Sequence, residues 1–101
     1  NMNFNKEVIK KKLEQVLDPE LGISIVDLGL IYKIEVKKNK LKIIMTLTTI
    51  GCPLFSLIEQ DIKNKLMEFG FKENDIDLEL TFDPPWSIER MSKKAKAVLG
   101  L

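Results

Sequence analysis

Residues 30–47 read LIYKIEVKKNKLKIIMTL, and this segment gives the clearest indication of the fold. Apolar residues alternate with mostly polar ones on both sides of the lysine-rich segment KKNK at 37–40. Such alternation is typical of strands with one buried and one solvent-facing side, and a short polar tip between two strands indicates an antiparallel hairpin. The sequence therefore predicts strands over 30–36 and 41–47. Ile31 and Ile44 fall on the mostly polar side, which predicts that a partner could partly bury that face.

Two helices are predicted on either side of this hairpin. Residues 4–17 carry apolar side chains at helical spacing, and Pro19 is expected to stop that helix. Residues 53–69 show the same spacing, with Pro53 as the first helical residue and Gly70 just beyond the end. The apolar positions of the two helices are Phe4, Val8, Ile9, Leu13, Val16 and Leu17, then Leu54, Ile58, Ile62, Leu66 and Phe69.

The last third of the chain predicts one more strand and one more helix. Residues 76–82 alternate again between apolar and polar side chains. Ser87 can cap the following helix, Trp86 and Met91 are placed as a hydrophobic staple, and Gly100 can end it.

The predicted order is helix, strand, strand, helix, strand, helix. Three amphipathic helices can cover the apolar face of a three-stranded mixed sheet, which predicts an α+β two-layer sandwich. A chain of 101 residues has room for one modest core, so we expect a single domain over residues 2–101. Asn1 precedes Met2 and is interpreted as a cloning remnant.

Composition excludes several classes of protein. The net charge is +1 and both signs are spread along the chain, which argues against a nucleic-acid surface. No apolar run approaches the roughly 18 residues of a spanning helix, and no export signal is evident, so we predict a cytoplasmic protein that does not enter a membrane. There is one cysteine and no histidine, which excludes an internal disulfide and most hydrolase designs.

The single cysteine, Cys52, lies between Gly51 and Pro53, where a strand is expected to give way to a helix. If Pro53 begins the helix, Cys52 is its N-cap, and the helix dipole favours the thiolate. Gly51 leaves space beside the sulfur, and Thr48 and Thr49 add hydroxyl groups. Such a thiolate could be a nucleophile, a redox sensor or a metal ligand. The alternative is a small buried packing residue.

Two further groups of residues could carry chemistry. Asp18, Glu20 and Asp27 could be hard metal ligands or an acid–base pair, although loop carboxylates more often serve turns and caps. The segment DPPWSIER at 83–90 contains Asp83, Trp86 and Arg90. It could be a recognition surface, because Trp and Arg are typical contact residues, or a rigid connector with Trp86 in the core.

Three long motifs occur in one order: DPELGISIVDLGLIY at 18–32, MTLTTIGCPL at 45–54 and DPPWSIERMS at 83–92. Together they resemble the family of small iron–sulfur cluster assembly proteins that includes the SufT-like and PaaD-like proteins. The resemblance covers about residues 7–100. It implies an iron–sulfur cluster assembly type of domain and a role in building, carrying or inserting clusters, without ordinary catalysis.

The resemblance also assigns residues. The family's functional cysteine falls on Cys52, and its acidic loop falls on Asp18, Glu20 and Asp27. Its proline–tryptophan turn falls on residues 83–86, namely Asp83, Pro84, Pro85 and Trp86, and is followed by Arg90, Met91 and Ser92. Two departures are mild: Ile50 stands where the family often has proline, and SIERMS where it often has TPDRMS.

The leading hypothesis is therefore a non-enzymatic carrier that binds iron or a labile iron–sulfur cluster through Cys52, with assembly proteins or client apo-proteins as partners. A cluster usually takes four protein ligands, and one chain offers one thiol, so the loaded form is expected to be a homodimer or a complex with a partner. The main alternative is a metal-free adaptor that docks proteins of an assembly or oxygenase complex. A thiol redox enzyme is a weaker alternative, because a second cysteine is missing.

Overall fold

A computed structural model describes residues 5–48 and 54–101. Its regular elements are helix α1 (Lys6–Leu13), strands β1 (Ile31–Lys37) and β2 (Lys40–Met45), helix α2 (Phe55–Met67), strand β3 (Ile76–Leu80) and helix α3 (Lys93–Leu99), with single 3₁₀ turns at Glu73–Asp75 and Ile88–Arg90. The sheet order is β1-β2-β3, with β1 antiparallel to β2 and β2 parallel to β3. The predicted α+β fold with a three-stranded mixed sheet is confirmed.

One apolar cluster joins the three helices to one face of the sheet. On β2 the alternate residues Leu41, Ile43 and Met45 are buried, while Lys42 and Ile44 between them are only half-buried. The cluster also contains Ile9 and Leu13 of α1, Ile58, Ile62 and Leu66 of α2, and Ala95 of α3. The period of two on the strands and of 3.6 on the helices therefore directs the same apolar residues inward that the sequence pattern indicated.

The register of the hairpin corrects the prediction for Ile31. The pairing shifts between Ile31 and Lys33, so that Ile31 pairs with the buried Met45 while Lys33 pairs with Ile44. Directly opposed residues share a face of the sheet, and Ile31 packs against the core. The prediction that Ile31 and Ile44 lie together on the open face was wrong. Alternation in the sequence cannot reveal the irregularity in strand pairing that turns the Ile31 side chain to the other face.

Helix α1 is shorter than predicted. Asn5 caps it by accepting a hydrogen bond from the Val8 amide at 2.9 Å, and it ends at Leu13, well before Pro19. Beyond the helix, the Val16 carbonyl accepts a hydrogen bond from the Ile25 amide at 2.9 Å. Tertiary pairing with the following loop thus replaces the last predicted turn of the helix. Phe4 lies outside the described residues.

The starts of the other two helices also differ from the prediction. Helix α2 begins at Phe55 with Leu54 in the N-cap position, two residues later than the predicted start at Pro53. Ser87 caps no helix: it precedes a single 3₁₀ turn and makes no side-chain capping bond. Helix α3 is capped by Ser92, whose hydroxyl accepts from the Ala95 amide at 3.0 Å, so the predicted staple of Trp86 and Met91 was wrong as well. Gly100 ends α3 with a φ of 75°, as predicted.

An ion pair ties α1 to the end of α2. The Lys12 Nζ atom donates to Glu68 Oε1 at 2.6 Å and lies 5.2 Å from the centre of the Phe69 ring. This hydrogen bond, and then the positive charge of Lys12, lower the pKa of the Glu68 carboxyl. A carboxyl whose pKa is lowered by folding stabilises the folded state above its unfolded pKa, and loses that contribution as the pH falls through the folded value.

We therefore expect Glu68→Gln to lower the thermal midpoint slightly at pH 7, and to have no effect well below the ordinary glutamate pKa of about 4.3. Melting curves of both proteins between pH 7 and pH 2, at low and high salt, measure this. Glu89→Gln, at an exposed glutamate that forms none of the described ion pairs, is the matched control. A difference between wild type and Glu68→Gln that persists at pH 2 would contradict the assignment.

Candidate functional site

The topology brings the described parts of the three sequence motifs to one end of the sheet. Ile31 at the start of β1 pairs with Met45 at the end of β2, and Met45 pairs with Leu80 at the end of β3. The segments 18–30, 46–48 and 81–92 therefore all join the sheet at this row of residues. We call it the motif end.

The first motif begins with a turn that Asp18 holds. Asp18 is buried, and its Oδ1 atom accepts hydrogen bonds from the amides of Glu20 and Leu21 at 2.8 and 2.9 Å. The Gly22 amide closes the turn by donating to the Asp18 carbonyl at 2.8 Å. One oxygen of the Asp18 carboxylate thus serves the backbone of its own loop, whereas the Glu20 side chain is exposed.

Trp86 fastens the third motif to the first. Its indole Nε1 donates to the Leu28 carbonyl at 2.7 Å, and the ring packs against the core while staying partly exposed. A second bond joins the same two motifs, from the Ser92 amide to the Asp27 carbonyl at 2.8 Å. Trp86 and the backbone of Asp27 therefore position the two loops, and the Asp27 side chain is half-buried beside this junction.

Gly29 marks the closest approach of these motifs. It has a φ of 76°, in the left-handed region, and a Cβ atom at this position would lie 2.3 Å from the Arg90 carbonyl oxygen. Only glycine fits both the backbone conformation and the contact. The backbone of Gly29 thus lies in close contact with the 3₁₀ turn Ile88–Arg90.

Arg90 and Tyr32 form the outer part of the junction between the first and third motifs. The Arg90 guanidinium carbon lies 4.4 Å from the centre of the Tyr32 ring, and the Tyr32 hydroxyl donates to the Pro84 carbonyl at 2.8 Å. Asp83 is exposed, and its amide donates to the Thr81 hydroxyl at 3.2 Å. The predicted residues Asp83, Trp86 and Arg90 therefore lie in one segment, with three different environments.

The middle motif is described only in part. The Thr46 amide donates to the Leu30 carbonyl at 2.8 Å, and the Thr46 hydroxyl is fully buried without a partner among residues 5–48 and 54–101. Thr48 is half-buried three residues after the end of β2. The other predicted residues of this motif, Thr49, Gly51 and Cys52, lie outside the described residues, and their roles stay predictions.

The described carboxylates do not assemble into a metal site. In the two described ranges, no group of three or more histidine, cysteine, aspartate or glutamate residues is placed to hold a metal ion. Asp18, Glu20 and Asp27 are thus not a self-sufficient ligand set, and a role for any of them as an auxiliary ligand stays a prediction.

The same ranges contain no helix that is long and apolar enough to cross a membrane.

Two residues of the junction escaped the sequence analysis. Gly29 and Tyr32 were not singled out, although both stand in the motif DLGLIY. A glycine between two leucines just before a strand is a signal of close backbone approach or positive φ, and could have identified Gly29. Nothing local identifies Tyr32, because its role depends on the irregular pairing of β1 and on Arg90, 58 positions further along the chain.

Comparison with known proteins places this geometry in a family. A profile described as iron-sulfur cluster assembly protein matches residues 6–70. The chain is 42% identical over 97 residues to the Fe-S protein maturation auxiliary factor YitW of Bacillus subtilis, covering 95% of this chain and 94% of that protein. It is 41% identical over 87 residues to the Fe-S protein maturation auxiliary factor SufT of Staphylococcus aureus, covering 85% of this chain and 98% of that protein.

A solved structure shows the same fold. The crystal structure of a domain of unknown function from Bacillus anthracis superposes with a TM-score of 0.88, at 42% identity, over 95% of this chain and 92% of that one. The profile match alone covers more than half of the chain, including the first motif and the described parts of the second. The protein belongs to the iron–sulfur cluster assembly protein family, and within it to the SufT-like members.

Proposed function

We propose that this protein is an iron–sulfur maturation factor that carries iron or a labile cluster on Cys52 and passes it to client apo-proteins. The observation that supports the proposal is that the described parts of all three family motifs meet at one end of the sheet. The relatives named as Fe-S protein maturation auxiliary factors support the general role. Thiolates suit this cargo because soft sulfur ligands bind iron–sulfur clusters well.

The donor groups favour transient rather than permanent binding. One chain supplies a single thiol and no histidine, whereas a cluster usually takes four protein ligands. The remaining positions would come from a second chain, from small thiols, from a client's cysteines, or from single carboxylates such as Asp18, Glu20 or Asp27. Incomplete ligation suits a carrier, because a client with more thiols can draw the cluster away.

The proposal makes the protein a non-enzyme that works in the cytoplasm and forms a homodimer, or a complex with a partner, when loaded. With Ile31 turned into the core, the open face of the sheet offers mainly charged side chains, which interface cores lack. We therefore place the bridge between loaded chains at Cys52 and not at this face.

Anaerobic reconstitution with a mixture of ferrous and ferric iron and with sulfide tests the proposal. We expect charge-transfer absorption in the visible range, and light scattering at about twice the chain mass of 11.6 kDa. Adding an apo-enzyme that needs a [4Fe–4S] cluster should move the absorption and restore that enzyme's activity. A loaded monomer with an intact cluster and no added thiol would contradict the bridged form.

The second candidate function is a metal-free adaptor. The exposed Arg90 side chain, stacked on the Tyr32 ring, favours this function because arginine and tyrosine are typical of protein contacts. An adaptor would stay colourless after reconstitution, yet would still bind assembly proteins or their clients. The visible spectrum and a binding assay on the same sample separate the two functions.

A further inference from the structure

Arg90 is the single arginine of the chain, and it is stacked on the single tyrosine. The guanidinium carbon lies 4.4 Å from the centre of the Tyr32 ring. The ring itself is fixed, because its hydroxyl donates to the Pro84 carbonyl at 2.8 Å. Stacking occupies one face of the guanidinium plane and leaves the N–H groups at its edge available to a ligand.

The Arg90 charge is not neutralised within the described chain. The ion pairs found among residues 5–48 and 54–101 involve Lys12, Lys42 and Lys63, and none involves Arg90. The side chain is exposed. Arginine has five N–H donors, a positive charge and no acceptor, so a ligand that binds here must offer acceptor atoms, and an anionic ligand matches the charge.

The backbone beneath Arg90 is held from several sides. Its amide donates to the Ser87 carbonyl at 3.0 Å, its carbonyl lies against Gly29, and the next residue, Met91, is buried. A side chain that is already positioned loses less conformational freedom on binding than a mobile surface lysine does. Ile88, in the same 3₁₀ turn, is 48% exposed.

We propose that Arg90, held on Tyr32, is the docking point for an aspartate or glutamate side chain of a partner protein. A carboxylate matches the guanidinium edge with two parallel N–H···O bonds. An exposed arginine stacked on a tyrosine is typical of a protein contact, whereas a nucleic acid or a membrane would require a basic stripe. The identity of this partner as a client or assembly protein rests on the proposed function.

The probe for this contact is a fluorescein-labelled peptide in which glutamate alternates with alanine, measured by fluorescence anisotropy on the full chain. The matched peptide has glutamine in place of glutamate. We expect saturable binding of the glutamate peptide alone, and binding about tenfold weaker for Arg90→Lys, which keeps the charge and loses the bidentate edge. Lys94→Gln removes an exposed positive charge four residues away and should change the affinity less than about twofold.

The contribution of the Tyr32 ring to binding can be tested separately. Tyr32→Leu should weaken peptide binding while leaving the Arg90 charge in place. In wild type, the chemical shift of the ¹⁵N-labelled Arg90 Nε–H resonance, which is unique because the chain has one arginine, should change on addition of the glutamate peptide. The Trp86 indole N–H resonance reports whether each variant keeps the junction. Equal binding by wild type and Arg90→Lys, or equal binding of the glutamine peptide, would overturn the proposal.

Two further outcomes are informative. If inorganic phosphate displaces the peptide at concentrations where acetate at equal ionic strength does not, the site is a phosphate site and the carboxylate proposal fails. Arg90→Lys should also take up iron and sulfide as wild type does. Should wild type fail to load while still binding the peptide, the carrier function fails and the docking site stands. Should loading succeed and peptide binding fail, only the docking site is overturned.

Discussion

Gly29→Ala should destabilise the protein by about 3 kcal/mol or more, one of the two largest effects that we expect from a single substitution. A residue with a side chain loses about 1–2 kcal/mol in the left-handed conformation that Gly29 adopts. The added Cβ atom would also lie 2.3 Å from the Arg90 carbonyl oxygen and 2.7 Å from its carbon, so the backbone of the third motif must move. Urea denaturation measured at equilibrium gives the loss directly.

Gly22→Ala is the matched control for this effect. Gly22 has a similar φ of 68°, but a Cβ atom there would meet nothing within 4 Å. We expect Gly22→Ala to cost only the conformational part, about 1–2 kcal/mol. The difference between the two variants isolates the contact between the motifs. Equal losses would show that the Arg90 backbone moves away from Gly29 without a cost in free energy, and would contradict the close contact as the cause.

Cys52→Ser should abolish uptake of iron and sulfide while leaving the unfolding midpoint nearly unchanged. Serine removes the chain's single thiol, and its hydroxyl is a poor ligand for iron–sulfur clusters. Visible absorption after anaerobic reconstitution and urea denaturation of the apo-protein provide the two measurements.

The control is Thr48→Ser, which changes a nearby hydroxyl residue in the same motif and retains the thiol. It should load as wild type does. A loss of several kcal/mol in Cys52→Ser, on the scale of buried truncations, would instead identify the cysteine as a packing residue. Loading by Cys52→Ser to the wild-type level would remove the sulfur from the proposed function altogether.

Much of the fold could be predicted from the hairpin outward, because period and burial are local properties of the sequence. Strand β2 has the predicted alternation of Leu41, Ile43 and Met45, and α2 buries Ile58, Ile62 and Leu66 as its spacing indicated. The helix ends could not be predicted equally well. Leu13 ends α1 because the loop around Ile25 takes over the hydrogen bonding, and that pairing is tertiary.

The candidate site divides in the same way. The grouping of the described parts of the three motifs follows from strand order. The candidate residues were indicated by their local sequence, and the family resemblance assigned the same residues. What each residue does required coordinates: Asp18 serves its own turn, Trp86 joins two loops, and Arg90 faces outward. Gly29 and Tyr32 became visible only once segments distant in sequence were seen in contact. The expectation of a thiolate at Cys52 assumed a helix that begins at Pro53, whereas α2 begins at Phe55. The ionisation of this thiol therefore stays a prediction, and its alkylation rate measured against pH is the test.

The β-hairpin has a practical consequence for experiments on this protein. Lys37 pairs with Lys40, so Lys38 and Asn39 form the tip, at the opposite end of the strands from the row of Ile31 and Met45. Six residues of strand separate the two ends by about 20 Å. A dye, an affinity tag or a solid support attached at Asn39 would therefore leave the motif end unobstructed. The molecule can be immobilised by its hairpin tip for surface-based kinetics while clients approach from the other side.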